Sequence, residues 1–112
     1  MPLKQRITTP EVPEPAPGLW SNCYRVGDAI YVSGMVSTGP EGVIGVDDEY
    51  VQAKTTFAKI RALLAAAGAT MDDIVKLTIF VTRIAQSAGV RKARAEFFTG
   101  DGARERMDRT VF

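Results

Sequence analysis

The chain of 112 residues contains no histidine and one cysteine, Cys23. Without histidine there is no Ser-His-Asp or Cys-His nucleophilic machinery, and the commonest metal ligand is gone. A single cysteine closes no intramolecular disulfide and builds no cysteine-rich zinc site. Two carboxylate groups remain as metal candidates, Asp47-Asp48-Glu49 and Asp72-Asp73. Both stand where a helix or turn is expected to begin, so no metal site is expected. No apolar run approaches a bilayer span, and no membrane partner is expected. Fourteen basic residues face 13 acidic ones, a formal net charge of +1, which supplies no basic field for nucleic acid. Met1-Pro2-Leu3-Lys4-Gln5-Arg6 lacks the apolar core of a signal peptide, so a cytoplasmic address is expected.

What is present suits one small globular domain, 46% hydrophobic and 24% charged. A chain of this size hides roughly 65% of the surface its unfolded form exposes, and oligomerisation would help it. Pro2, Pro10, Pro13, Pro15 and Pro17 crowd the first 18 residues. Each removes a backbone donor, so residues 1–18 are expected as an extended arm and 19–112 as the domain.

Residues 19–26 and 29–34 alternate in side-chain character around Gly27-Asp28, the pattern of a hairpin. Residues 36–46, with Gly39, Gly42 and Gly45, lack phosphate-loop spacing and are expected as a mobile surface loop. Ala53, Phe57, Ile60, Leu64 and Ala67 recur at helical spacing, predicting a helix over 48–67. Asp47 or Asp48 would cap its start, and Gly68 would close its end. Val75, Leu77, Ile79 and Val81 predict the apolar face of a strand over 73–81. A second helix is expected over 87–98, with Val90, Ala93 and Phe97 inward and Gly100 as its stop. The polar run 100–109 does not read as a strand. The order β-β-α-β-α argues an α+β fold, with both helices on one face of a mostly antiparallel sheet.

Val26-Gly27-Asp28, Ile30-Tyr31-Val32-Ser33-Gly34, Gln52, Ile60, Ala66-Ala67-Gly68, Asp73 to Val81 and Phe97-Phe98 occur in one order. That ordered set resembles the RidA/YjgF/UK114 family, whose older label is endoribonuclease L-PSP. The resemblance covers about residues 18–98. It implies a chorismate-mutase-like α+β domain and a homotrimer with ligand clefts between subunits. It also implies cofactor-free hydrolysis of enamine and imine intermediates such as 2-aminoacrylate and 2-iminopropanoate. A small imino or enamino acid is then the expected partner. Such imines hydrolyse readily in water, so a site without histidine need only orient substrate and water.

The same resemblance assigns residues. An arginine grips the substrate carboxylate in the family, and Arg109, followed by Thr110-Val111-Phe112, fits if one extra residue is allowed. Arg106 is the alternative, and solvated tail charges are a third reading of both. Ser33 and Gly34 match a strand end that lines the cleft; the plainer reading is a cap and a bend. Trp20 stands where many family deaminases place a tyrosine, as a cleft wall without the hydroxyl or as a packing tryptophan. Arg91 replaces an asparagine near the substrate, either for a different anion or as part of an exposed helix face with Lys92 and Arg94. Cys23 reads as packing. The family continues past the arginine to a last strand that carries a glutamate, so 99–112 reads as an atypical, shortened C-terminus.

Three functions follow. The first is an imine/enamine deaminase with Arg109 as carboxylate anchor. The second is a non-catalytic trimer of the same fold that binds a small molecule or a protein. The third is a ribonuclease, disfavoured by near-neutral charge and the lack of a histidine base.

Overall fold

Alternation around a glycine turn produces the hairpin on which the rest is built. β2 (Cys23–Val26) and β3 (Ala29–Val32) pair antiparallel, with Val26 opposite Ala29 and Gly27-Asp28 between them. Gly27 has φ of 59°, which glycine enters without a steric cost. The computed structural model describes residues 3–99 and 107–111; for Gln86 and 107–111 it describes the backbone alone.

The segment expected as an arm contributes a strand. β1 (Lys4–Ile7) pairs antiparallel with β2, so the sheet runs β1-β2-β3. Residues 4–7 contain no proline and keep every backbone donor, and an edge position asks for pairing on one side only. A bridge between Thr9 and Val12 then turns the chain and buries Val12.

The glycine-rich stretch also differs from expectation. It forms a small hairpin of β4 (Thr38–Gly39) and β5 (Gly42–Val43). Its second arm is fastened where Gln52 Nε2 donates to the Gly45 carbonyl at 2.9 Å. Gly45 has φ of 80°, and a Cβ there would lie 2.7 Å from Val51 Cγ1. Close approach to the next helix fastens what glycine content alone suggests is mobile.

That helix is α1 (Glu49–Ala66). Asp48 caps it, its carboxylate accepting from Val51 N at 3.0 Å. Gly68, φ 82°, ends it in a Schellman motif: Gly68 N donates to Ala65 O and Ala69 N to Leu64 O. The predicted stripe is present, but α1 is two-sided. Leu63 and Ala67 pack with Ile7, Val12 and Cys23, whereas Phe57 and Leu64 pack with Met71, Ala93 and Phe98. Ile30 and Val32 of β3 touch both clusters, so the core is continuous beneath the helix.

A 3-10 turn at Met71–Asp73 leads to β6 (Lys76–Ile79). The strand is shorter than predicted, and Val75 is 69% exposed because it precedes the ladder. Leu77 and Ile79 face the core as expected. α2 (Ala88–Phe97) follows and packs on α1. Gly89 permits this, since a Cβ there would meet Tyr50 N at 2.8 Å. Gly100, expected as a stop, lies outside the described residues.

The C-terminal stretch corrects the sequence reading most. Met107–Val111 forms β7, parallel to β6. A helix between two strands permits parallel pairing, and ladder bonds outweigh the polar composition of Met107-Asp108. Lys76 pairs with Met107 and Thr78 with Thr110, so β7 carries one extra residue between these partners, a bulge spanning Asp108-Arg109. Antiparallel β1-β2-β3 with two helices makes the fold α+β. No helix among the described residues is long and apolar enough to cross a membrane.

Candidate active site

Three of the expected site residues, Trp20, Ser33 and Gly34, lie on the chain segments that flank one end of the β2–β3 hairpin. Ser33 N donates to Asn22 O at 2.9 Å, which extends the ladder one step beyond Val32. Trp20 lies two residues before Asn22 and is 56% exposed. At Gly34 a Cβ would meet nothing within 4 Å, so the backbone there is open on that side. The Ser33 hydroxyl is buried without a hydrogen-bond partner among the described residues. Such an atom costs about 1–3 kcal/mol unless something bonds it.

Asn22, which the sequence reading did not single out, holds this strand end. It is buried, and its Nδ2 donates to Glu14 Oε2 at 2.8 Å and to the Pro13 carbonyl at 3.2 Å. Glu14 in turn accepts from Arg6 Nε at 3.0 Å. An ordered chain thus runs from β1 through the proline segment to Ser33. A buried amide beside a proline-rich stretch is the signal available in the sequence, because free carbonyls without matching donors need a side-chain partner.

The expected arginines fare differently. Arg91 is exposed on α2, and its Nη1 donates to Ser87 Oγ at 2.8 Å, one turn back. Ser87 is the residue that precedes α2, so this described bond stays within the same local segment. The Arg109 backbone lies in the β7 bulge, and its side chain lies outside the described residues. Arg106 lies wholly outside them. Cys23 is buried in the core, and its thiol is pushed above its ordinary value first by burial and second by the Glu14 carboxylate.

The acidic groups have structural partners. Asp48 is the α1 cap, while Asp47 and Glu49 pair with Arg83 at 3.6 and 2.9 Å. Asp73 accepts from Thr70 N at 2.8 Å. Among the described residues no three His, Cys, Asp or Glu converge on a point that could hold a metal.

The family profile described as endoribonuclease L-PSP matches residues 11–110. The chain belongs to that family. Among its relatives, a 2-iminobutanoate/2-iminopropanoate deaminase from Dermatophagoides farinae is 33% identical, the match covering 88% of this chain and 77% of that one. A RutC family protein of Pyrococcus abyssi is also 33% identical, over 85% of this chain and 75% of its own length. In structure, a Pseudomonas aeruginosa protein of unknown function superposes with a TM-score of 0.82 at 32% identity, covering 97% of this chain and 78% of that one. The sequence resemblance and these matches agree on family and fold, and family members carry the name of imine deaminases.

Proposed function

We propose that this protein hydrolyses small 2-imino acids and their enamine tautomers to 2-keto acids and ammonia, in clefts between the subunits of a cytoplasmic homotrimer. The observation that carries this reading is the buried hydroxyl of Ser33, without a partner among the described residues, beside the open backbone of Gly34. It occurs in a chain 33% identical to a named imine deaminase. A hydroxyl in that state offers one donor and one acceptor to a small polar ligand.

In the reaction, water adds to the imine carbon, the carbinolamine gives up ammonia, and a carbonyl remains. Arg109 grips the substrate carboxylate through two parallel hydrogen bonds. Trp20 forms an apolar wall, and the Ser33–Gly34 strand end aligns the imine. Orientation and charge placement supply the acceleration, so no histidine base is required. Trp20 is exposed in one protomer, which suits a cleft completed by a second subunit.

Departures from the family pattern favour a second reading. Trp20 lacks the tyrosine hydroxyl, and Arg91 adds charge where the resemblance has an asparagine; both suit a trimer that binds without turnover. Keto-acid release from freshly generated 2-iminopropanoate separates the two, with Arg109→Ala alongside. We expect a rate above the uncatalysed background that falls at least about 100-fold in the variant, the scale of losing one transition-state charge contact. A folded wild-type protein without acceleration leaves the binding reading. The ribonuclease reading requires RNA degradation without added metal, and none is expected.

A further inference from the structure

The chain just after the Ser33–Gly34 strand end is held from the side by one lysine. Lys59, in the second half of α1, donates from Nζ to the carbonyl oxygens of Val36 at 2.8 Å and Thr38 at 2.7 Å. These carbonyls bracket Ser37, which is buried and whose own carbonyl receives Ile44 N at 2.7 Å. The ammonium therefore holds the first arm of the β4–β5 hairpin at its open base, where Gln52 holds the second arm through Gly45.

Only Met35 lies between Gly34 and the first clamped carbonyl, and Met35 packs against the Ile7–Cys23–Leu63 cluster. The strand end is thus fixed on both sides: upstream by the Ser33–Asn22 bond, downstream by Lys59. No other described contact of this hairpin is charge-assisted, and charge-assisted bonds hold geometry more firmly than neutral ones.

We propose that Lys59 is a positioning residue for the small-molecule site. By clamping Val36 and Thr38 it sets where the Ser33 hydroxyl and the Gly34 backbone stand, and so sets affinity for the 2-imino or 2-keto acid. The inference rests on the substrate class proposed above, and its test works without turnover. Trp20 is the only tryptophan in the chain, so its fluorescence reports ligand binding beside this strand end. The ligand is 2-oxobutanoate, and the proteins are full-length wild type, Lys59→Met, which keeps the stem and loses the donors, and Lys59→Arg, which keeps charge and donors.

In Lys59→Met, Kd for 2-oxobutanoate and KM for 2-iminopropanoate should rise about tenfold, with kcat within about threefold of wild type. Lys59→Arg should recover most of that loss. Amide exchange at Ile44 should quicken in Lys59→Met alone. Wild-type protein that binds 2-oxobutanoate without hydrolysing the imine ends the deaminase reading, and the Kd ratio then decides Lys59 by itself. An unchanged Kd in folded Lys59→Met overturns the proposal. So does equal weakening in both variants with a lowered melting temperature, and so does a wild type that does not bind 2-oxobutanoate.

Discussion

Cys23 shows how much a single side chain can report. It is 1% exposed, inside the cluster of Ile7, Val12, Leu63 and Ala67. Burial and the nearby Glu14 carboxylate raise its pKa in the folded state, while an unfolded thiol titrates near about 8.5. Above that pH the unfolded chain gives up a proton the folded chain keeps, so stability falls as pH rises. The contribution is complete below about pH 8.5 and is lost progressively toward the higher folded value. The urea midpoint of the wild type should therefore decline more steeply between about pH 8.5 and 10 than that of Cys23→Ala, whatever their offset at neutral pH. Parallel slopes would show that the thiol titrates alike in both states. Cys23 was legible as packing from its place in an alternating strand. Asn22, Glu14 and Lys59 were not: Asn22 and Lys59 donate to backbone carbonyls, and Glu14 accepts from the Asn22 amide, partners whose positions exist only after folding. Arg109 was legible from the family pattern, and its role is a proposal for the assay above.

The secondary structures were legible where periodicity and punctuation agreed. The Gly27-Asp28 hairpin, the Asp48 cap, the Gly68 stop and α2 lie within a few residues of expectation. β1 was hidden, since it carries no apolar alternation of its own and gains its place from a neighbour's ladder; of β7, a strand over Arg109-Thr110-Val111-Phe112 was an open possibility from the family pattern, whereas Met107-Asp108 was not read as strand. Leu63 was missed because one apolar stripe was sought on a helix that buries two faces. Two glycines distinguish close approach from backbone conformation. Gly89→Ala improves helix propensity by about 1 kcal/mol, yet its Cβ would lie 2.8 Å from Tyr50 N and 3.1 Å from Tyr50 Cα. Prying α2 off α1 should outweigh the gain, for a net loss of about 1–3 kcal/mol. Gly68→Ala meets nothing within 4 Å but must hold φ of 82°, a cost of about 1–2 kcal/mol. Urea unfolding of both variants checks each figure, and Gly89→Ala more stable than wild type would show that the helices part freely.

Taken whole, one protomer leaves much of its sheet surface uncovered. Tyr31, opposite Tyr24 on the β2–β3 ladder, is 63% exposed, and Phe80 is 77% exposed. The homotrimer proposed above would cover such side chains, and burying an aromatic is worth about 1.5–3 kcal/mol. Tyr31→Glu should then give a monomer by light scattering, with an unchanged circular dichroism spectrum and no imine hydrolysis. A trimer that persists in the variant would move the interface elsewhere. The parallel pairing of β6 with β7 carries a different consequence, one for the pace of folding. α2 separates the two strands in sequence, so β7 reaches β6 only by closing a loop that contains α2. Such a non-local, parallel pairing forms slowly, so the strand that bears Arg109 should lock later than the local β2–β3 hairpin. A partly folded protein would hold the β2–β3 hairpin and the Ser33 strand end while β7 is still unpaired, so the activity proposed above should return on refolding only after the helical circular dichroism signal.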